Sequence, residues 1–236
     1  MAGHGSAGSV EAVTYPVRIE GRLEEPLSRW LWLVKWLLLV PHLVVLVFLW
    51  IAYAASMIAV FFVLLFTGRY PRRLFEFNVG VLRWTWRVAF YSYSALGTDR
   101  YPPFTLRDVE EYPARLAVDY PRHQRRGLPL VGWWLLGIPQ YAIAGLLGGG
   151  ATLGFAVGGT HLYGGVTAIL MLVAGVLLLV GRGYPRGIFD LAMGLDRWTV
   201  RVTVYASLMT PDYPPFRLDT GGTEPMSGAG PAVMVD

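Results

Sequence analysis

The residues best suited to chemistry fall on two stretches of matching pattern. Glu76, Gly80, Arg83 and Arg87 stand at i, i+4, i+7 and i+11, and Asp190, Gly194, Arg197 and Arg201 repeat that spacing. On an α-helix these positions share one face. Trp84 and Trp198 sit beside the two stripes. A carboxylate with two guanidinium groups allows three kinds of chemistry. The charges can pair, within a repeat or between the two, with Gly80 and Gly194 permitting close helix contact. The arginines Arg83, Arg87, Arg197 and Arg201 can hold lipid phosphates or an acidic partner, because a planar guanidinium fork suits both. Glu76 and Asp190 can act as acid or base. The last is the weakest, since no nucleophile, metal ligand or second acid stands nearby. No catalytic residue is assigned, and the chain reads as non-enzymatic.

Other candidates fall away. There is no cysteine, which excludes disulfides, thiolate metal sites and cysteine nucleophiles. His4, His42, His123 and His161 show no HxxxH or HExxH spacing, so neither a metal nor another cofactor is expected. His42 follows Pro41, but Gln140 takes its place in the second half, which argues against a proton relay needing both halves. The Gly-rich run over residues 145–165 lacks the Lys-Ser/Thr of a phosphate loop. Lys35, inside an apolar run, is expected to snorkel to an interface.

The elements that must position these stripes are apolar. The 236 residues are 54% hydrophobic and 15% charged, with a mean hydropathy of +0.45. Soluble domains carry about 25% charged residues. The composition therefore indicates an integral membrane protein and excludes a cytosolic enzyme or a disulfide-stapled secreted domain. The net charge of +4 is informative through its distribution, which does not point to nucleic acid. Neither Trp36–Gly68 nor Gly127–Gly181 contains a charged residue. Those windows are 33 and 55 residues long, against the roughly 20 that one helical crossing needs.

One unit occurs twice. Gly68-Arg69-Tyr70-Pro71-Arg72 returns as Arg182-Gly183-Tyr184-Pro185-Arg186, and Arg83-Trp84-Thr85 as Arg197-Trp198-Thr199, at an offset of 114. Tyr101-Pro102-Pro103-Phe104 returns as Tyr213-Pro214-Pro215-Phe216 after a slip of two. Tyr15-Pro16-Val17-Arg18-Ile19 resembles Tyr112-Pro113-Ala114-Arg115-Leu116. The second half has 16 extra residues between its prolines, coinciding with the Gly-rich run, so a loop tip is expected near Trp50–Ser56 in the first half. Two layouts compete there: a hairpin of two spans, or an interfacial segment Ser28–Val40 followed by one span after Pro41. Basic residues flank both windows on both sides, which favours hairpins with every Arg-rich segment cytoplasmic. Pro71 and Pro185 suit the first position of the amphipathic helices that follow. Repeats of this kind are related by a pseudo-two-fold axis along the membrane normal.

The chain resembles an uncharacterised family of bacterial integral membrane proteins, common in actinobacteria and catalogued as a domain of unknown function. The carrying residues are Tyr15-Pro16-Val17-Arg18, Lys35-Trp36, Pro41-His42, Phe66-Thr67-Gly68-Arg69-Tyr70-Pro71, Arg83-Trp84 and Tyr101-Pro102-Pro103-Phe104. The resemblance implies location and architecture, and no activity.

The expected fold is an all-α membrane protein, a tandem repeat of transmembrane hairpin plus interfacial amphipathic helix. Repeat 1 (13–107) has spans near 30–49 and 52–67 and an amphipathic helix near 71–96. Repeat 2 (108–218) has spans near 130–147 and 162–181 and an amphipathic helix near 185–208. A short cytoplasmic β element pairs Val13–Leu23 with Tyr112–Tyr120, and residues 1–12 and 219–236 are expected to be disordered. The expected function is a scaffold or accessory subunit of the bacterial plasma membrane, multi-pass with both termini cytoplasmic. It would bind anionic lipid or a membrane partner. A small transporter or channel on the repeat axis is the alternative.

Overall fold

The computed structural model describes residues 15–121, 138, 166–215 and 218–219. Its elements are β1 (Val17–Gly21), α1 (Leu31–Thr67), α2 (Arg72–Tyr91), β2 (Ala114–Val118), α3 (Val166–Leu179) and α4 (Arg186–Ala206). The described residues are mostly helical, with one small two-stranded sheet among them. The expected first amphipathic helix ends earlier than anticipated, and the span near 130–147 lies outside the described residues apart from Ile138.

The β element has the expected partners. β1 and β2 pair antiparallel, with Val17 opposite Val118, Ile19 opposite Leu116 and Gly21 opposite Ala114. In β1 the residues alternate, Val17 and Ile19 buried and Arg18 and Glu20 exposed, as a sheet with one solvated face requires. Ile19 and Leu116 are equivalent in the two repeats, and they face each other. An antiparallel pair in which equivalent residues are opposite has its two-fold axis there, perpendicular to the sheet.

The first half does not form a hairpin. Leu31–Thr67 is one helix of 37 residues, about 55 Å long at 1.5 Å per residue. Residues 50–56 read Trp-Ile-Ala-Tyr-Ala-Ala-Ser, with no Gly, Pro, Asn or Asp to turn the chain. The repeat argument located a tip from an insertion in the other copy, and the first copy has no need of one. Tyr53 and Ser56 also find partners only on an unbroken helix: Tyr53 bonds Ser207 through their hydroxyls, and the Ser56 hydroxyl donates to Asn78 Oδ1 at 2.7 Å. Pro41 is carried inside the helix. The helix stops at Gly68, whose φ of 66° lies in the left-handed region and whose N–H returns to the Leu64 carbonyl. Among the described residues α1 is the helix long and apolar enough to cross a membrane; α3, with 14 residues, is shorter.

The elements stack in three layers. α2 turns Trp84, Val88 and Tyr91 to Leu39 and Leu46 of α1. Its opposite side meets the sheet, where Trp86 donates to the Glu20 carbonyl and Phe75 stands edge-on to Tyr120. α4 packs likewise between β1 and α3. The helices expected to lie in an interface, α2 and α4, are thus the middle layer, buried on most of their circumference. A charged stripe facing water does not exist there. Pro71 and Pro185 cap these helices with extended ψ angles of 123° and 119°, one place before the first helical turn.

The continuity of α1 is directly testable. Ala55 is exposed on α1, so Ala55→Pro removes a helical hydrogen bond and kinks the helix without replacing a buried side chain. A loss of about 3 kcal/mol is expected, measured as thermal or denaturant stability in detergent. A neutral effect would restore the loop tip.

Candidate functional site

The two arginine stripes converge on the two-fold axis, and they do so crosswise. Arg83, in the first repeat, donates its Nε to the carbonyl of Leu116 in the second at 2.8 Å. Arg197, in the second, donates its Nε to the carbonyl of Ile19 in the first at 3.0 Å. Equivalent donors on α2 and α4 therefore reach the equivalent, facing residues of β2 and β1. The same exchange recurs at the ends of the repeats. Tyr112 donates to the Arg100 carbonyl at 3.1 Å and Tyr15 to the Asp212 carbonyl at 3.5 Å. Each repeat's opening Tyr-Pro segment is thereby tied to the other repeat's Tyr-Pro-Pro-Phe segment. The turns after α2 and α4 also correspond: Leu96 and Leu208 both have positive φ, 48° and 55°. The Thr98 and Thr210 hydroxyls accept from the N–H groups of Arg100 and Asp212.

Burial explains why arginine is used. Arg87, Arg197 and Arg201 are 3%, 0% and 0% exposed. A buried guanidinium must be given acceptors. Arg197 adds an Nη1 bond to the Asp219 carbonyl at 2.5 Å, and Arg201 forms an ion pair with Asp219 Oδ2 at 2.6 Å. Asp219, expected to begin a disordered tail, is fixed by both. Arg87 donates to the Thr105 carbonyl. Burial pushes the Arg87 guanidinium down, opposed by Tyr112 and Asp108.

The expected site residues thus divide. Arg83 and Arg197 each reach a strand of the other repeat, whereas Arg87 bonds the Thr105 carbonyl in its own repeat and Arg201 pairs with Asp219. The carboxylates do not join them. Glu76 is exposed and pairs with Arg72 at 3.2 Å, one turn away; Asp190 is half-buried. Trp84 donates its Nε1 to His42 Nδ1 at 3.0 Å, and His42 stacks on Phe104 at 4.0 Å between centroids. Trp198 is 1% exposed in the core. Gly80 does permit a close approach, although by a loop and not by a helix: a Cβ there would lie 2.9 Å from that of Leu106. Gly194 is buried. Lys35 does not snorkel to open water. It is 1% exposed, donates to the Thr98 carbonyl at 2.7 Å and pairs with Asp99 at 3.1 Å. No group of His, Cys, Asp and Glu suited to a metal occurs among the described residues.

Sequence reasoning missed Asp196, which occupies the place of Leu82 in the first repeat. It is 8% exposed and accepts from the Ser94 hydroxyl at 2.7 Å, while its Oδ2 is buried with no hydrogen-bond partner among the described residues. Burial pushes its carboxyl up to about 7.

The sequence matches the domain of unknown function DUF4389 over residues 29–105 and 153–217. The chain belongs to this family. The two DUF4389 segments contain α1 and α2 and then α3 and α4, so the family match has the same two-fold division as the arginine clasp. Both clasp strands lie outside them. No curated protein and no solved structure matches the chain.

Two outcomes test this geometry. Arg197→Ala removes two buried donors and is expected to cost about 3 kcal/mol, whereas Arg83→Ala, at a half-buried position, costs about 1 kcal/mol; denaturant titration in detergent gives both, and equal small losses would contradict the clasp. For Asp196 the folded carboxyl titrates above its unfolded value, so stability is full below pH 4 and falls as pH rises towards 7. Asp196→Asn should remove that fall. A wild-type stability unchanged between pH 4 and pH 8 would show that Asp196 is not held protonated.

Proposed function

We propose that this DUF4389 chain is a non-enzymatic bacterial plasma-membrane protein, a scaffold or accessory subunit that holds anionic lipid. One observation supports the reading above the others: a large exposed apolar face bordered by exposed arginines. On α1, Leu33, Val44, Phe48, Ile51, Phe62 and Phe66 are between 41% and 74% exposed, and Ile169 and Leu172 continue the face on α3. A contiguous apolar surface of this kind marks a membrane or protein contact. At the end of α1 stand Arg69, Arg72 and Arg73, all exposed; at the end of α3 stand Arg182 and Arg186, with Arg29 beside them. The Arg29 guanidinium lies 3.3 Å from where a Cβ of Gly181 would be. These are the two copies of the Gly-Arg-Tyr-Pro-type junction.

The headgroup-binding role therefore moves from the buried stripes to the junctions. An arginine near an anionic surface contributes about 1 kcal/mol. The transporter alternative gains no support from the repeat axis, because that axis passes through Ile19 and Leu116, which are 0% and 2% exposed. In this reading both termini lie on the cytoplasmic side, with the arginines.

Lipid retention is the test. Arg69→Ala, Arg72→Ala, Arg73→Ala, Arg182→Ala and Arg186→Ala combined should lower retention of phosphatidylglycerol at least tenfold, read by mass spectrometry of the purified protein. Retention equal to wild type would contradict the assignment. Arg83→Ala should leave it unchanged.

A further inference from the structure

We infer that α1 does not cross the bilayer but lies along it, so that the molecule enters a single leaflet through the apolar faces of α1 and α3. The inference rests on the membrane reading above and adds an orientation to it.

Symmetry supplies the first argument. The two-fold axis is perpendicular to the β1–β2 sheet and runs from it through α2 and α4 to the α1–α3 layer. A two-fold reverses only the component of a helix direction that is perpendicular to the axis. Equivalent helices that run antiparallel therefore lie across the axis. α1 and α3 run antiparallel where they meet: a Cβ on Gly175 would touch Trp32 at 3.0 Å, and Gly181, further along, adjoins Arg29. Rising positions along and just beyond α3 meet falling positions along and just before α1. Both helices thus lie in one layer, across the axis, at the end of the molecule opposite the sheet.

Packing supplies the second. The buried residues of α1 run from Lys35 through His42, Leu46, Tyr53 and Val60 to Leu64, about 44 Å of helix at 1.5 Å per residue. The protein covers α1 on one side for nearly its whole length, and the outer side is apolar for the same length. A spanning helix that carries its domain at one end would be covered at one end only.

Charge supplies the third. α2 runs back beside α1, from Asn78 at Ser56 to Tyr91 at Lys35. Arg83, between them, touches β2 at Leu116. The sheet therefore sits over the middle of α1. Its outer surface carries the ion pairs Arg18–Asp119, 52% and 58% exposed, and Arg115–Asp108, 38% and 35% exposed. If α1 stood along the membrane normal, these exposed pairs would lie at mid-bilayer, where charges are rare unless they face a protein interior or water. With α1 along the surface they face the cytoplasm, and Arg69, Arg72 and Arg73 at one end and Arg29, Arg182 and Arg186 at the other reach the headgroups of the same leaflet. An in-plane apolar face enters the boundary by about 5–10 Å. The arrangement also removes the need for arginines on both sides of the membrane.

The cysteine-free chain makes the test clean. Ser28→Cys and Arg73→Cys are exposed positions just before and just after α1. Each variant is labelled with a membrane-impermeant maleimide in right-side-out and in inside-out vesicles. Labelling of both cysteines from the cytoplasmic face alone is expected. Labelling of the two from opposite faces would overturn the in-plane arrangement while leaving membrane binding intact. Recovery of the protein in the soluble fraction would instead overturn the membrane reading itself.

Discussion

Arginine side chains that leave water must be given acceptors, and this requirement organises the protein. Two equivalent helices each carry an Arg-Trp-Thr-x-Arg segment whose guanidinium groups point inward. The acceptors of Arg83 and Arg197 are backbone carbonyls at the centre of a two-stranded sheet, each strand supplied by the other repeat, while Arg87 and Arg201 bond Thr105 and Asp219. An isolated two-stranded pair is marginal in water. Here it is backed by α2 and α4, with Val17 and Ile19 fully buried, and its carbonyls at the axis are bonded by cations. Buried residues of both repeats form one shared hydrophobic core.

The arrangement accounts for features that are otherwise unconnected. Gly80 is small because the Leu106 segment crosses the helix there. The Tyr-Pro and Tyr-Pro-Pro-Phe motifs are joined through tyrosine hydroxyls across the repeats. Leu96 and Leu208 take left-handed backbone conformations in matching turns after α2 and α4, a cost that surrounding structure must offset. On the remaining side, among the described residues, α1 and α3 leave an exposed apolar surface.

The repeat, the strand pairing and the limits of α4 were legible in the sequence because each depends on local pattern: Tyr-Pro junctions, alternation in Val17–Gly21 and a helical spacing of charges. The orientation of the charged stripe was not. Residues at i, i+4, i+7 and i+11 share a face whether that face meets water or a sheet edge, and carbonyl acceptors leave no mark in side-chain identity. The helical hairpin was misplaced for a related reason. An insertion in one copy shows where that copy tolerates a loop, while residues 50–56 of the other carry no turn-forming type. Asp196 was passed over because it stands where the first repeat has Leu82, outside the repeated stripe. That asymmetry was itself a readable signal, since a carboxylate replacing a core leucine has to be accommodated within the core.

The central claim is that the repeats exchange contacts through β1 and β2 in one register, and a disulfide measures this most directly. Val17 and Val118 are opposite each other. The neighbouring N–H bonds from Asp119 to Pro16 and from Arg22 to Pro113 make them a non-hydrogen-bonded pair, with Cα atoms about 4.5 Å apart, within disulfide reach. Val17→Cys with Val118→Cys in the cysteine-free chain should oxidise readily and raise thermal stability in detergent. Val17→Cys with Ala117→Cys, whose side chains leave opposite faces of the sheet, should not. Equal oxidation of the two pairs, or none in the first, would contradict the clasp and with it the two-fold organisation of the molecule.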